Sequence, residues 1–413
     1  MKADWFWKND MGLLRVDRLP PGAILAEDVR DINARLLLAK GLAIGPQQLR
    51  ILKMWGVFEV QVQVAQGAET AGQLMDAEQL AAAAIDVQNI FRCVDCDHPA
   101  IREIIRLSAL HRVTHGISNK PVVLRAPHVE TRPVDSLEML KHLDRIDIKL
   151  PEVPALVCEL NDIIADPLSS GCDIARVVNK SPSMVALLLK IANSAFYGFR
   201  SKIDSVSRAV MLIGSREVSN LALGITIMEH FRGISKDVID VASFLEHSLA
   251  CGTVARILAA HGNIAHTEQL LLSGMLHDIG RLILCQYFPH LAEYTLSEAA
   301  RVDIPLLAAE KAILGCTHAQ LGHKLLGKWK LPHILEHNVL YHHNPSSSPY
   351  PEMAAAVQMS DLIVHGLAVG AGGETLVPAF DIPAWERVGL PIGAFEPLIK
   401  QALYQVEHIR HIF

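Results

Sequence analysis

The stretch Gly274-Met275-Leu276-His277-Asp278-Ile279-Gly280-Arg281-Leu282 decides how this chain is read. It sets an adjacent His-Asp pair inside an apolar segment whose Met275, Leu276, Ile279 and Leu282 can all be buried. Burying an imidazole beside a carboxylate is costly unless both are satisfied. A metal ion satisfies both, because it takes a neutral ring nitrogen and an ionised oxygen as ligands. His247 upstream, and His318, His342, His343 and Asp361 downstream, are further side chains of ligand type.

Helical spacing predicts where each would point. His247 shares a stripe with Ala250, Val254 and Leu258, so it faces a packed interior. Leu335, Val339 and His342 share another stripe, with His343 about 100° further round. Asn344-Pro345 ends that helix and leaves both rings at its mouth. Asp361 lies near Val357 and Leu362 on an otherwise apolar helix, and His318 opens its helix behind a capping Thr317. With 20 histidines in the chain, any one taken singly is more often a core or surface residue with a hydrogen bond. Five histidines and two carboxylates, all at inward or helix-end positions, are harder to explain that way. Their donor set suits iron, manganese, zinc or similar ions, and seven ligands are enough for two. The run Cys93-Val94-Asp95-Cys96-Asp97-His98 lacks a second Cys-x-x-Cys and is not read as a zinc site.

The totals narrow the class. A chain of 413 residues predicts two or three domains. Half of it is hydrophobic but only 5% aromatic, which predicts an aliphatic, helical core. A net charge of -6 without a Lys/Arg-rich run argues against nucleic acid as partner. The seven cysteines lack framework spacing and read as reduced thiols. The N-terminus has no apolar signal-peptide core, and no run reaches the roughly 20 apolar residues of a membrane span. A cytoplasmic protein without membrane contact is expected.

Along the chain, residues 1–65 predict a small β-containing module. Its strands lie near 23–29, 35–39 and 57–64, with a helix from Pro46 to Trp55. Ile24, Leu36, Leu38, Leu49, Leu52, Trp55, Val57 and Val60 are its expected core. Residues 66–135 read as a helical connector, with helical runs at 80–91 and 100–111. From residue 136 to about 370 successive amphipathic helices predict an all-helical domain, its boundary near Asp135–Lys149. Ser181-Pro182, Asp204 and Ser215 are candidate helix starts, and Gly366 to Gly373 a flexible stretch. Residues 371–413 form a C-terminal extension with a terminal helix over 395–408. The fold class is mainly α, with a small β-containing N-terminal module.

The region from Leu150 to about Ala368 resembles the HDOD family, the HD-related output domain of bacterial signalling proteins. The resemblance rests on Leu150-Pro151-Glu152-Val153-Pro154, the block Leu189 to Gly198, Ala209 to Gly214 and His247-Ser248-Leu249-Ala250. It rests further on the His277-Asp278-Ile279-Gly280 stretch and on Trp329 to Pro332 followed by His342-His343-Asn344-Pro345. Residues 13–64 look like the small N-terminal module of some HD-GYP phosphodiesterases, notably at Pro21 to Val29. HDOD domains are relatives of HD metal-dependent phosphohydrolases. The resemblance implies His247 as first metal histidine and His277 and Asp278 as the bridging dyad. His318, His342, His343 and Asp361 follow as the remaining ligands, of one or two divalent transition-metal ions, iron or manganese first. Were the chain an enzyme, Asp278 and Arg281 would be its catalytic residues.

Three departures separate it from cyclic di-GMP hydrolysis. No GYP loop follows the double histidine, Arg281 stands where the phosphate-contacting lysine is expected, and Ser243 replaces a glutamate. The reading favoured is a signal-transduction output or adaptor protein with a signalling partner. The alternative is a metal-dependent phosphohydrolase acting on a nucleotide or cyclic dinucleotide.

Overall fold

The structure, a computed structural model, describes residues 13–16, 19, 22–30, 36–54, 57, 59–63, 77–117, 152–166, 168–193, 197, 199, 201–231, 233–236 and 238–407. Trp55, the expected boundary near 135–149, and Ser194, Ala195, Phe196 and Gly198 of the family block lie outside the described residues. So does the last residue of the expected terminal helix.

The N-terminal module runs β1 (Leu13–Arg15), β2 (Val29–Arg30), β3 (Leu36–Leu38), α1 (Pro46–Met54) and β4 (Glu59–Gln61). β1 pairs antiparallel with β4, and β2 with β3. Leu25, Leu38, Ile44, Leu52 and Val60 are buried in a core of its own, with Leu49 and Val57 packed against it. Ile24 and Leu36 are instead largely exposed. Neighbouring residues of an extended chain face opposite ways, so Leu25 faces inward and Ile24 cannot. Leu36 opens its strand opposite a register irregularity at Val29/Arg30.

The helical body begins with α2 (Ala77–Ile90) and α3 (Pro99–His115). It continues through α4 (Ala155–Ala165), α5 (Gly171–Val178), α6 (Pro182–Ala192), α7 (Val206–Ile213), α8 (Ser215–Glu229) and α9 (Val241–His261). α10 (Thr267–Leu276), α11 (Ile279–Tyr287), α12 (Pro289–Val302), α13 (Leu306–Leu314), α14 (His318–Lys328) and α15 (His333–Tyr341) follow. The chain closes with α16 (Pro351–Leu367), α17 (Ile382–Val388) and α18 (Phe395–Glu407). No described helix is long and apolar enough to cross a membrane.

Helix starts follow the local chemistry. Ser181 accepts a hydrogen bond from the Met184 amide with Pro182 in the first turn. α7 is capped by Ser205, not Asp204. Gly214, not Ser215, precedes α8, and no side chain caps it.

Two apolar cores hold this body. One gathers α4 to α8 with α10, α11, α14 and α15. The other gathers α2, α3, α16, α17 and α18. α9 serves both, its first half in one and its second half in the other. Residues 77–117 are therefore not a spacer, because Phe91, Ile101, Ile104 and Ile105 are buried in the second core. α3 is buried at every position from Leu107 to Arg112, polar side chains included, as a helix covered on several sides must be. The C-terminal α17 and α18 complete the same core.

Candidate metal centre

The His-Asp pair sits at a break in the helical path, since α10 ends at Leu276 and α11 begins at Ile279. His277 closes α10, and its Nδ1–H donates to the Gly274 carbonyl at 2.8 Å. That bond satisfies one of the carbonyls a helix end leaves free and fixes Nε2 as the bare nitrogen. His342 repeats the device at the end of α15, donating from Nδ1 to the Val339 carbonyl at 2.7 Å. Asp278 stands before α11 but makes no capping hydrogen bond, so its carboxylate is left for the pocket.

Close backbone approach brings these pieces together. A Cβ on Gly280 would lie 1.9 Å from the His318 carbonyl oxygen, so only glycine lets α11 meet the start of α14. The capping box of Thr317 and Gln320 fixes that start. Glu310 of α13 then accepts from both the backbone N–H (3.0 Å) and Nδ1–H (2.7 Å) of His318.

The result is two adjacent groups of ligand-type side chains. Asp278, His318, His342 and His343 form one, and His247, Cys251, His277 and Asp361 the other. In each, one ligand atom per residue lies within 4.8 Å of the others. His318 Nε2 is 3.1 Å from Asp278 Oδ1 and 3.3 Å from His342 Nε2. His343 Nε2 is 2.9 Å from His318 Nε2. Within the other group His247 Nε2 is 3.1 Å from Asp361 Oδ1, and across the junction His277 Nε2 is 3.3 Å from Asp278 Oδ2. All seven residues expected at the site are thus brought together, at the seam between the two cores. Among the described residues only these two groups assemble, and neither includes Cys93, Cys96 or His98.

The electrostatics call for a cation. His277 Nε2 and both oxygens of Asp278 are buried without a well-aligned hydrogen bond, and Oδ2 has the Arg281 guanidinium as an ion-pair partner at 2.8 Å. Burial would raise the Asp278 carboxyl, but Arg281, His277 and His318 outweigh it and hold it well below the usual range. Asp361 is likewise held low by His247 and His277 against its burial. Burial, with His277 and His318 nearby, pushes His342 down to about 3 and keeps it in the neutral, ligating form. Burial opposes the charged form of His318, yet Glu310 and Asp278 lift it to about 9. Asp278, Glu310, Asp361 and Glu374 are buried against the Arg281 guanidinium and a His318 ring held in its charged form, and Glu374 is itself raised towards neutrality. These buried carboxylates and ring nitrogens are a donor set that would fit divalent cations.

Arg281 does not face outward. It is buried, with Nη1 2.8 Å from Asp278 Oδ2 and donating to the Gly372 carbonyl at 2.9 Å. Its Nη2 pairs with Glu374, whose own carboxyl burial raises to about 7. Of residues 366–373, expected as a flexible stretch, 366 and 367 end α16, and the rest runs on to Glu374 packed over the site. A Cβ on Gly372 would lie 2.8 Å from Arg281 Nη1 and 3.2 Å from Asp278 Oδ2. A neighbouring cavity lined by Ile239, Arg281, Cys285, Thr295, Glu310 and Gly372 reaches none of the ligand side chains.

Cys251, Glu310 and Glu374 were missed from sequence. Cys251 is one turn after His247 and could have been found by that spacing. Glu374 meets Arg281 across 93 residues of chain and carries no local signal.

Comparison with known proteins agrees with this architecture. An HDOD domain protein of unknown function from Geobacter sulfurreducens matches with a TM-score of 0.56 and 20% identity, over 68% of this chain and 99% of that one. A protein from Shewanella amazonensis SB2B, named as a candidate phosphohydrolase, gives 0.53 and 22%, over 66% and 97%. A candidate signal transduction protein from Marinobacter aquaeolei VT8 gives 0.54 and 20%, over 74% and 72%. At such identities the likeness is one of fold. An uncharacterized protein of Treponema pallidum (strain Nichols) is 25% identical over 227 residues, 54% of this chain, and the match spans 44% of that protein. Residues 150–345 match the family model of the HDOD domain, and that part of the chain is an HDOD domain.

Proposed function

We propose that this chain is a bacterial, cytoplasmic signal-transduction output protein whose HDOD domain holds two divalent metal ions in a closed pocket. It acts by binding a signalling partner rather than by turnover. His247, His277 and Asp361 would hold one ion, and His318, His342 and His343 the other, with Asp278 between them. The observation that carries the reading is the state of Arg281. The side chain expected to meet a substrate phosphate is instead committed to Asp278, Gly372 and Glu374, under the 369–374 loop. The N-terminal module, like that of some HD-GYP proteins, would be a second binding unit.

The completeness of the ligand set favours one other reading, a phosphohydrolase acting on a nucleotide or cyclic dinucleotide. A metal pair in that chemistry lowers the pKa of a bound water to make the nucleophile. Arg281 would have to leave Glu374 to bind phosphate, and the covering loop would have to move. A phosphodiesterase screen of tag-free protein loaded with iron, manganese or zinc decides between them. The output reading expects no cleavage. Cleavage of any cyclic dinucleotide that is lost in Asp278→Asn would replace it with the hydrolase.

A further inference from the structure

One member of the His247, His277 and Asp361 group has no counterpart in the pattern that the HDOD resemblance implies. Cys251 lies one turn after His247 on the same face of α9. It is fully buried. α9 and α10 touch at Gly252 and Gly274, where a Cβ on Gly274 would lie 2.6 Å from Gly252 Cα. That contact draws Cys251 towards His277.

We propose that Cys251 is a thiolate ligand of the ion held by His247, His277 and Asp361. With the Asp278 carboxylate shared between the two ions, this adds a soft donor to the nitrogen and oxygen ligands of the position and suits a zinc-class cation. The inference rests on the metal reading above and adds to it the identity of one ligand and the class of ion.

The distances fit such a shell. Zinc–nitrogen and zinc–oxygen bonds of ~2.0–2.2 Å and zinc–sulfur bonds of ~2.3 Å put neighbouring ligand atoms ~3.0–3.8 Å apart. Here Cys251 Sγ lies 3.4 Å from His247 Nε2, and His277 Nε2 3.7 Å from Asp361 Oδ1. His247 Nε2 to Asp361 Oδ1 is shorter, at 3.1 Å. A buried cysteine with only a packing role has apolar neighbours, whereas this thiol faces an imidazole. Cys285 and Cys316 are buried too but join neither ligand group.

The chemistry has two consequences. A donor set of two imidazoles, a thiolate and a carboxylate selects zinc or cobalt over manganese or magnesium, because thiolate is a soft ligand. As the ion binds, the thiol gives its proton to solvent. Four ligands of its own beside the shared Asp278 carboxylate fill the position and leave no place there for a water nucleophile.

The test uses the full chain expressed in cobalt-supplemented minimal medium. Wild type is expected to bind about two cobalt ions per chain and to show sulfur-to-cobalt charge-transfer absorption in the near ultraviolet. Cys251→Ser should lose that absorption, keep the ion of the other group, and hold its own ion at least about tenfold more weakly. Cys285→Ser and Cys316→Ser should keep the absorption. Cobalt bound without any sulfur band in wild type, or a band that survives in Cys251→Ser, overturns the assignment and leaves the metal reading standing. A wild-type protein that takes up no cobalt removes both. The wild-type spectrum decides the matter even if the variant does not fold.

Discussion

His318 Nε2 and His342 Nε2 face each other at 3.3 Å, and each ring has its other nitrogen engaged, at Glu310 and at the Val339 carbonyl. Without an ion, the raised His318 ring keeps a proton on Nε2 that it donates to the neutral His342 Nε2. A cation that displaces this proton would take both nitrogens at once, so the pair of rings reads as half of a coordination shell.

Glu310 is then the residue that aims His318. Glu310→Gln is expected to keep the fold and weaken metal binding about tenfold, and Glu310→Ala about a hundredfold, since outer-shell partners of ligating histidines act on this scale. Titration with zinc followed by calorimetry checks it. Unchanged affinity in both variants would mean that His318 is not a ligand.

His277→Ala and Asp278→Asn should each abolish metal binding, because either removes a ligand at the junction of the two groups. Neither should change phosphodiester cleavage, for the output reading expects none in wild type. Partner pull-down should change only if the ions order the covering loop. Metal content of the two variants, measured beside a cleavage assay, tests both halves.

Asp381 fastens the turn that follows the double histidine. Its carboxylate accepts from the Ser346 amide at 2.7 Å, the Ser346 hydroxyl at 2.6 Å and the Ala384 amide at 3.2 Å. Burial opposes ionisation, but the bonds from Ser346 and Ala384 outweigh it and lower the pKa. A carboxylate lowered in the folded state stabilises fully above its unfolded value of ~3.9 and loses that contribution as pH falls through the folded one. Asp381→Ala should therefore cost about 1 kcal/mol at pH 7. The gap in melting temperature between wild type and variant should narrow below about pH 4. A gap independent of pH would contradict the assignment.

We propose a working boundary for the helical body near residue 77 rather than 136. A chain starting at Ala77 should fold and bind metal. One starting at Ser136 lacks α2 and α3 and leaves their cover of α16 and α18 undone. Burial of Phe91, Ile101, Ile104 and Ile105 contributes ~1.5–3 kcal/mol each, together comparable with the whole ~5–15 kcal/mol stability of a protein. A cooperative thermal transition in the chain from Ser136 would argue against the boundary.

The convergence of these seven side chains was legible because each interrupts an apolar helical stripe or stands at a helix end. His277, His342 and Asp361 are conspicuous for that reason. The fold class was legible from the same periodicity. The role of α2 and α3 was not, since a buried helix and a solvated connector can share an alanine-rich sequence, and the covering α16 and α18 lie some 250 residues away. Arg281 was named from sequence but not its orientation. The turn inward depends on Gly372 and Glu374, in a loop whose glycines read as flexibility and whose packing makes it a cover.

Elemental analysis of the full chain purified without a histidine tag tests the metal centre most directly. The account predicts about two divalent transition-metal ions per chain in wild type, and loss of both in Asp278→Asn with the helical content preserved. Wild-type protein that holds less than a tenth of an equivalent after saturation with zinc, manganese and iron, while remaining folded, would contradict it.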